Sequence, residues 1–222
     1  MRPLLALLIL LAACGRPLTG PEVDLAQRLF GDGLDTAEVR FYRNGFIGLR
    51  RHAFPTRPRT TCRERILPPA EGPVEYGRAA GMVLGNVVNV RPDVYRPDYA
   101  RRPDGGLSLG QAMYLAHELT HIWQWQNRAR TGYSPLRVGA EHFSSADPYL
   151  FDPADNPRFL DFGYEQQASL VEEYVCCQAL DPEGARTERL RGLLAQEMAP
   201  STLPEAALWL PWSGVERRGI CG

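Results

Sequence analysis

The sequence predicts an α+β fold, in which a small N-terminal sheet is followed by long helices. Short apolar runs and loose alternation up to residue 90 are typical of strands. Beyond residue 108 the apolar residues recur at helical spacing over two long segments, 109–128 and 164–180. Because the strands come first and the helices afterwards, the order does not match the alternating units of a parallel α/β protein.

The size and charge of the chain indicate an ordinary globular protein. It has 222 residues, of which 44% are hydrophobic and 23% charged, and this composition excludes wholesale disorder. At about 150 residues per domain we expect one domain, over residues 23–222. Its 25 basic and 26 acidic residues are nearly balanced, so we expect no nucleic acid partner.

The N-terminus has the pattern of an export signal. Arg2, an apolar run over residues 3–11 and small residues before Cys14 predict a signal peptide over residues 1–13. The segment Leu11-Ala12-Ala13-Cys14 resembles the lipobox of bacterial lipoproteins. That resemblance implies a lipid anchor on Cys14, a tether over residues 14–22, and a cell-envelope location at the outer membrane, facing the periplasm. Plain secretion after cleavage near Cys14 is the alternative.

Short elements are predicted before residue 108. Residues 23–30 suit a short helix that ends at a glycine-rich turn, and residues 38–49 suit strands. The Pro- and Arg-rich stretch 52–73 is expected to be irregular. Residues 81–90 are a clearer strand pattern, interrupted at Gly85-Asn86 by a turn or bulge.

Three helices are predicted after residue 108. The first covers about residues 109–128, with Ser108 and Gln111 in a capping-box pattern. The second covers residues 164–180. A third covers about residues 182–197, where Pro182 suits a first helical turn.

The first long helix carries the pattern H-E-x-x-H, as His117-Glu118-Leu119-Thr120-His121. His117 and His121 are one turn apart, so both imidazoles project from one face and can share one ion. Glu118 is rotated by about 100° from His117, which places its carboxylate beside the ion. The pattern predicts a Zn²⁺ site with Glu118 as the catalytic general base, although such a pair of histidines also arises by chance.

A catalytic zinc ion takes three protein ligands and leaves a fourth position open. The sequence has no third histidine close after His121, so the remaining ligand must come from elsewhere. The acids of the second long helix are the candidates: Glu165, Glu172 and Glu173. A small residue on the same stripe, Ala168, would allow the two helices to approach closely.

Two segments resemble a known family. His117 to His121 with Gln124 resembles the H-E-L-T-H-x-x-Q helix of uncharacterised bacterial metallopeptidases, and residues 164–168 resemble a second motif in their relatives. Together they resemble the gluzincin plan, which implies a zincin-like fold with Glu165 as the third zinc ligand. In gluzincins an Asp four residues after the ligand Glu supports a ligand histidine, and this sequence has Ser169 at that position. That support would then come from Ser169 or from another acid.

Further residues are candidates for parts of a catalytic site. His142 and Tyr164 are candidate donors to an oxyanion, ahead of Tyr133 and Tyr174. Asp161 and Glu173 are the other acids that could support a ligand histidine. The strand that ends at Val90 is a candidate edge strand for an extended peptide, or else an interior strand.

Four cysteines follow the predicted lipidation site: Cys62, Cys176, Cys177 and Cys221. In an exported protein an even number predicts disulfides. Because a bridge between neighbours is strained, Cys176 and Cys177 are expected to bond separately to Cys62 and Cys221, in either pairing. A four-thiolate zinc site is the alternative, but the Cys-x-x-Cys spacing is missing.

These observations lead to one functional expectation and two alternatives. We expect an exported, lipid-anchored zinc metallohydrolase of gluzincin-like type that cleaves peptide or protein substrates. The first alternative is a non-catalytic envelope lipoprotein, a binding or assembly module whose zinc site is structural or a relic. The second is hydrolysis of cell-wall amide bonds.

Overall fold

The computed structural model describes residues 15–145, 147–152 and 158–222. The predicted signal peptide over residues 1–13 and the predicted lipidation site Cys14 lie outside the described residues, so both stay predictions. Among the described residues, no helix has the length and apolar character needed to cross a membrane.

Helices and strands alternate irregularly along the described chain, with short 3₁₀ turns at residues 31–33, 36–38 and 159–161. In chain order the helices and strands are α1 (Gly20–Phe30), β1 (Arg40–Arg43), β2 (His52–Pro55), α2 (Cys62–Arg65), β3 (Val74–Gly77), β4 (Gly81–Leu84), β5 (Val87–Val90), β6 (Leu107–Ser108), α3 (Leu109–Gln126), α4 (Arg128–Thr131), α5 (Pro135–Ser144), α6 (Tyr164–Leu180), α7 (Ala185–Leu194) and β7 (Leu208–Trp209). This is a mixed α+β arrangement, and the zincin-like fold stays a prediction.

The main sheet has three strands in the order β1-β5-β4. β4 and β5 form an antiparallel hairpin, and Gly85 turns it with a φ of 62°, a conformation that glycine adopts without strain. β1 pairs in parallel with the other side of β5. The strand that ends at Val90 is therefore interior, and the edge-strand interpretation of it is wrong. β1 and β4 are the two outer strands of this sheet.

The stretch 52–73, expected to be irregular, contains two elements. β2 pairs with β3 in antiparallel register, so that His52 lies opposite Gly77. The single turn α2 has Thr61 as its N-cap, whose side chain accepts a hydrogen bond from the Glu64 amide. β2 depends on its pairing with β3, and α2 is bonded to Cys176, so no local periodicity predicts either element.

The predicted tether does not extend freely through residues 15–22. Arg16 forms a bridge with Phe41 of β1 and an ion pair of 2.6 Å with Glu22, which is fully buried. Thr19 and Glu22 form a capping box at the start of α1, three residues before the predicted start of that helix. The chain is thus packed onto the domain from Arg16 onwards.

The two long helices form the centre of the molecule. α3 and α6 pack against each other more extensively than any other two elements. The apolar side chains between and around them are buried, among them Leu115, Leu119, Trp123 and Tyr174. α6 has the predicted bounds, whereas α3 ends at Gln126 and α7 is shorter than the predicted segment 182–197.

Two disulfides attach other segments to α6. Cys62 of α2 is bonded to Cys176, and Cys221 near the C-terminus is bonded to Cys177. This is one of the two pairings that the sequence left open. All four sulfur atoms are used in these bonds, so the structure does not have the alternative four-thiolate zinc site.

Candidate metal centre

Three predicted ligands meet where α3 faces the first turn of α6. The Nε2 atoms of His117 and His121 lie 3.3 and 3.2 Å from the same carboxylate oxygen of Glu165, Oε2. One ligand atom from each of the three residues lies within 4.8 Å of the others. The geometry therefore places Glu165 at the two histidines, among the three acids that the sequence offered.

This set of side chains fits a zinc ion. Two imidazole nitrogens and one carboxylate oxygen are a common ligand set of catalytic zinc, in which a fourth position stays open. His121 and Glu165 are 6% and 4% exposed, so a cation there would be largely shielded from solvent. The residues present can thus hold Zn²⁺ without a further protein ligand.

The electrostatics of the centre keep its carboxylate ionised. Burial raises the pKa of Glu165, but His121, His117 and His142 together lower it well below its usual value. Burial lowers the pKa of His117, whereas contacts with Glu165 and Glu172 raise it to about 10. A metal ligand of carboxylate type must be deprotonated, and Glu165 meets this requirement.

Gln124 orients His121 from the next turn of α3. Its amide nitrogen donates to the carbonyl oxygen of Tyr164 and to Oε1 of Gln167, both at 3.0 Å. Its Oε1 therefore faces Nδ1 of His121, at 2.9 Å, and accepts that proton. In the neutral ring the lone pair is then on Nε2, the atom that faces Glu165 and that a metal ligand needs.

Glu172 lies behind the other histidine. Its Oε2 is 3.3 Å from Nδ1 of His117, and Arg63 of α2 contacts the same oxygen at 3.2 Å. Glu172 follows Glu165 by seven residues, which is two helical turns, so both carboxylates lie on one face of α6. Glu172 was a candidate ligand in the sequence, but the structure places it as a partner of His117.

The three residues that the sequence offered as support for a ligand histidine have other surroundings in the described part of the chain. The buried hydroxyl of Ser169 has no hydrogen-bond partner in the described part of the chain. Asp161 pairs with Arg158 at 2.8 Å. Glu173 accepts hydrogen bonds from the backbone amides of α2. Only the seven-residue spacing after Glu165 could have indicated Glu172.

Glu118 projects from α3 towards the edge strand β4. It is 6% exposed, and burial raises the pKa of its carboxyl above the usual value. A Cβ atom placed on Gly81 would lie 2.6 Å from Oε1 of Glu118 and would also clash with the hydroxyl of Tyr114. The glycine at this position of β4 thus leaves the space that the Glu118 carboxylate occupies.

Of the two leading candidates for an oxyanion donor, His142 contacts the ligand Glu165 and Tyr164 does not. Nε2 of His142 lies 2.9 Å from Oε1 of Glu165, whereas the hydroxyl of Tyr164 donates to the carbonyl oxygen of Thr131. The structure adds Tyr149, whose ring centroid is 5.8 Å from that of His117 and 5.7 Å from that of His142. Nothing in the local sequence indicates Tyr149, because it lies in a loop without periodicity.

The two remaining tyrosine candidates differ in their distance from the centre. The ring of Tyr133 lies 6.5 Å from that of His121, between centroids. The hydroxyl of Tyr174 instead lies 3.3 Å from both Oε1 of Gln178 and the carbonyl oxygen of Ser201, two acceptors that share its one proton. Tyr133 therefore lines the centre, whereas Tyr174 belongs to the core.

Comparisons with known proteins find similarity to one secretion-system protein. No protein-family model matches the sequence. The type VI secretion system spike protein VgrG2b of Pseudomonas aeruginosa is 24% identical over 187 residues, which are 82% of this chain and 15% of that protein. The structure resembles the effector domain of Pseudomonas aeruginosa VgrG2b with a TM-score of 0.56 and 21% identity, over 84% of this chain and 85% of that domain.

These comparisons correct the family expectation. The family assignment that the motifs imply, a gluzincin-like metallopeptidase of the H-E-L-T-H-x-x-Q group, is wrong, because the similarity found is to the VgrG2b effector domain. The expected function, an exported lipid-anchored zinc metallohydrolase, and its envelope-lipoprotein alternative are overturned by the same finding. A five-residue helix motif specifies metal-ligand chemistry, but it is too short to specify a family.

Proposed function

We propose that this chain is a type VI secretion effector-related domain whose active centre performs zinc-dependent hydrolysis. The observation that carries the proposal is the convergence of His117, His121 and Glu165, with the Glu118 carboxylate beside them. A purely structural zinc site would more often have a fourth protein ligand and would not need Glu118.

The similarity favours the effector part of such a system over the spike part. This chain spans 15% of the length of the VgrG2b spike protein but 85% of its effector domain. An effector acts on a target, and a buried metal centre with an adjacent carboxylate suits that role.

The residues of this chain have separate tasks in the proposed reaction. A zinc ion held by the three ligands would supply Lewis acidity and activate water. Glu118 would take the proton of the attacking water, and the raised pKa of its carboxyl brings its basicity closer to that needed near neutral pH. Gln124 and Glu172 would hold the imidazoles in orientation. Tyr149, whose ring lies near both His117 and His142, would donate to developing negative charge, whereas Nε2 of His142 already faces Glu165.

The proposal is tested by measuring zinc content and hydrolysis in the full chain. Wild type should contain one zinc ion per chain, and His117→Ala should lose it. Glu118→Gln should keep the zinc and abolish hydrolysis of peptide substrates, which are the first amide-bond probes to use. The matched control is His52→Ala, since His52 is exposed on β2. Zinc retention by His117→Ala, or full hydrolysis by Glu118→Gln, would contradict the proposal.

A further inference from the structure

A line of contacts runs from the candidate metal centre to the segment that contains α2. Nδ1 of His117 lies 3.3 Å from Oε2 of Glu172, and Nη1 of Arg63 lies 3.2 Å from that same oxygen. The side chains of Glu172 and Arg63 are each 14% exposed. Arg63 also contacts Glu64 at 2.9 Å, but Arg63 is the cationic side chain that faces Glu172, so its loss would leave a poorly solvated carboxylate behind His117.

Arg63 depends on tertiary contacts for its position. It belongs to α2, which has only four residues, and a single helical turn is not stable by itself. The preceding residue, Cys62, is fully buried and is bonded to Cys176 of α6. The amides of Cys62 and Arg63 both donate to the Glu173 carboxylate, at 2.8 and 3.2 Å. A covalent bond and two hydrogen bonds thus hold α2 against α6.

We propose that Arg63 is a positioning residue for the metal centre, which acts through Glu172 on His117, and that the Cys62–Cys176 disulfide holds it in place. This inference rests on the proposed metal centre and concerns what determines its affinity for the metal. Full affinity for the metal then requires the oxidised disulfide.

The physical reason is that one carboxylate faces both the Arg63 guanidinium and the His117 imidazole. Arg63 contacts Oε2 of Glu172, and this fixes the oxygen that His117 faces. Without Arg63, the largely buried carboxylate of Glu172 loses its cationic partner, which favours rotation of its side chain away from His117. His117 then loses the contact that orients its ring. Removing such outer partners of a ligand histidine typically lowers metal affinity by about 10- to 100-fold.

The disulfide makes this arrangement dependent on redox conditions. Reduction breaks the S–S bond and adds two electrons and two protons, leaving two thiols. A phosphine reductant supplies the electrons and becomes a phosphine oxide, whose oxygen comes from water. Disulfides persist in oxidising compartments and are rare in the reducing cytosol. The centre would accordingly reach full metal affinity only where the chain has been oxidised.

The test is the affinity of the full chain for Zn²⁺, measured by competition with a chelator. Arg63→Met should lower the affinity by about 10- to 100-fold, and Glu172→Gln should lower it similarly. Arg65→Met is the matched control, because Arg65 lies on the same turn but donates to the carbonyl oxygens of Gly219 and Ile220. An unchanged affinity in Arg63→Met, or an equal loss in Arg65→Met, would overturn the inference.

The disulfide is tested with paired substitutions. C62A/C176A should lower zinc affinity about as much as Arg63→Met, whereas C177A/C221A, which removes the other disulfide, should change it little. Adding Arg63→Met to C62A/C176A should cause no further loss, because both changes break one line of contacts. Equal losses from the two disulfide variants, or additive losses in the combined variant, would overturn the role of the Cys62–Cys176 bond.

Circular dichroism and the zinc affinity of the wild-type chain distinguish a failure of this inference from a failure of folding or of the proposed metal centre. Circular dichroism shows whether each variant is folded. If C62A/C176A does not fold, the comparison of Arg63→Met with Arg65→Met decides the role of Arg63. If the wild-type chain binds no zinc, the proposed metal centre itself fails, and this inference fails with it. Zinc binding by wild type with unchanged affinity in Arg63→Met overturns the inference alone.

Discussion

At the scale of single residues, the candidate centre depends on side chains that lie far apart in the sequence. Glu165 is 44 positions from His121, and Glu172 is 109 positions from its partner Arg63. Each ligand histidine has one contact at Nε2 with Glu165 and a second at Nδ1, with Gln124 or Glu172. A hydrogen bond orients His121 before any ion binds, whereas Nδ1 of His117 has only a charge contact of 3.3 Å without hydrogen-bond geometry. Both contacts reduce the cost of ordering the imidazoles around an ion.

Tyr149 is predicted to act on turnover and not on the metal. Tyr149→Phe removes only the hydroxyl from a ring that lies near His117 and His142, so zinc content should be unchanged. The turnover rate should fall by about 10²- to 10³-fold if the hydroxyl stabilises developing charge. The turnover rate under saturating substrate is the measurement, and the control is Tyr76→Phe, since Tyr76 is exposed on β3. Unchanged turnover would remove Tyr149 from the catalytic residues.

Gly81 is predicted to be required for the position of Glu118. In Gly81→Ala the new methyl group would lie 2.6 Å from Glu118 Oε1, so the carboxylate or the strand must move. We expect a loss of hydrolysis with zinc retained, and a stability cost of about 1–3 kcal/mol. Activity assays and denaturant unfolding measure the two effects. Gly72→Ala is the control, because a Cβ there meets nothing within 4 Å. Normal hydrolysis by Gly81→Ala would contradict the close approach.

At the scale of elements, the packing of α3 against α6 determines the distance between the ligands. The two histidines come from α3, while Glu165 begins α6, so any separation of these helices separates the ligands. Ala168 lies between Glu165 and Glu172 on the same face of α6 and is fully buried. A small side chain there allows the close approach of the two helices.

Ala168→Leu is predicted to weaken both the fold and the centre. The larger side chain overpacks the contact between the helices, which should cost about 1–3 kcal/mol of unfolding free energy. Zinc affinity should fall as well, because the ligands move apart. Denaturant unfolding and chelator competition check the two effects. The control is Ala195→Leu. Residue 195 directly follows α7 and is exposed, so neither the free energy of unfolding nor the zinc affinity should change. Unchanged zinc affinity in Ala168→Leu would show that the helices can adjust independently.

At the scale of the whole molecule, two disulfides attach distant segments to one helix. The Cys62–Cys176 bond joins residues 114 positions apart, and the Cys177–Cys221 bond joins residues 44 apart. Because α6 also carries Glu165, these bonds stabilise the element on which the third ligand lies. The domain can thus maintain a buried polar centre despite the short strands of its sheets.

The longer closed loop should contribute more to stability. In the chain-entropy account, a disulfide stabilises by restricting the unfolded chain, by more when the loop is longer. C62A/C176A should therefore lower the free energy of unfolding by up to about 1 kcal/mol more than C177A/C221A does. Denaturant unfolding under non-reducing conditions measures the difference. A larger loss in C177A/C221A would show that local packing around Cys221 outweighs loop entropy.

The features that the sequence determined are local in the chain. The helical spacing of apolar residues determined α6 at its observed bounds and most of α3. The four-residue spacing of His117 and His121 determined that both imidazoles lie on one face. Such features can be inferred because the backbone geometry of a helix relates neighbouring residues directly.

Only the tertiary structure decided which distant residues complete the centre. It placed Glu165 at the histidines and Glu172 behind His117, brought Arg63 and Tyr149 to the site, and selected one disulfide pairing. The elements β2 and α2, in a stretch expected to be irregular, also depend on long-range partners. These contacts join residues separated by tens of positions, and their geometry follows from how α3, α6 and the α2 segment pack, which no local spacing encodes.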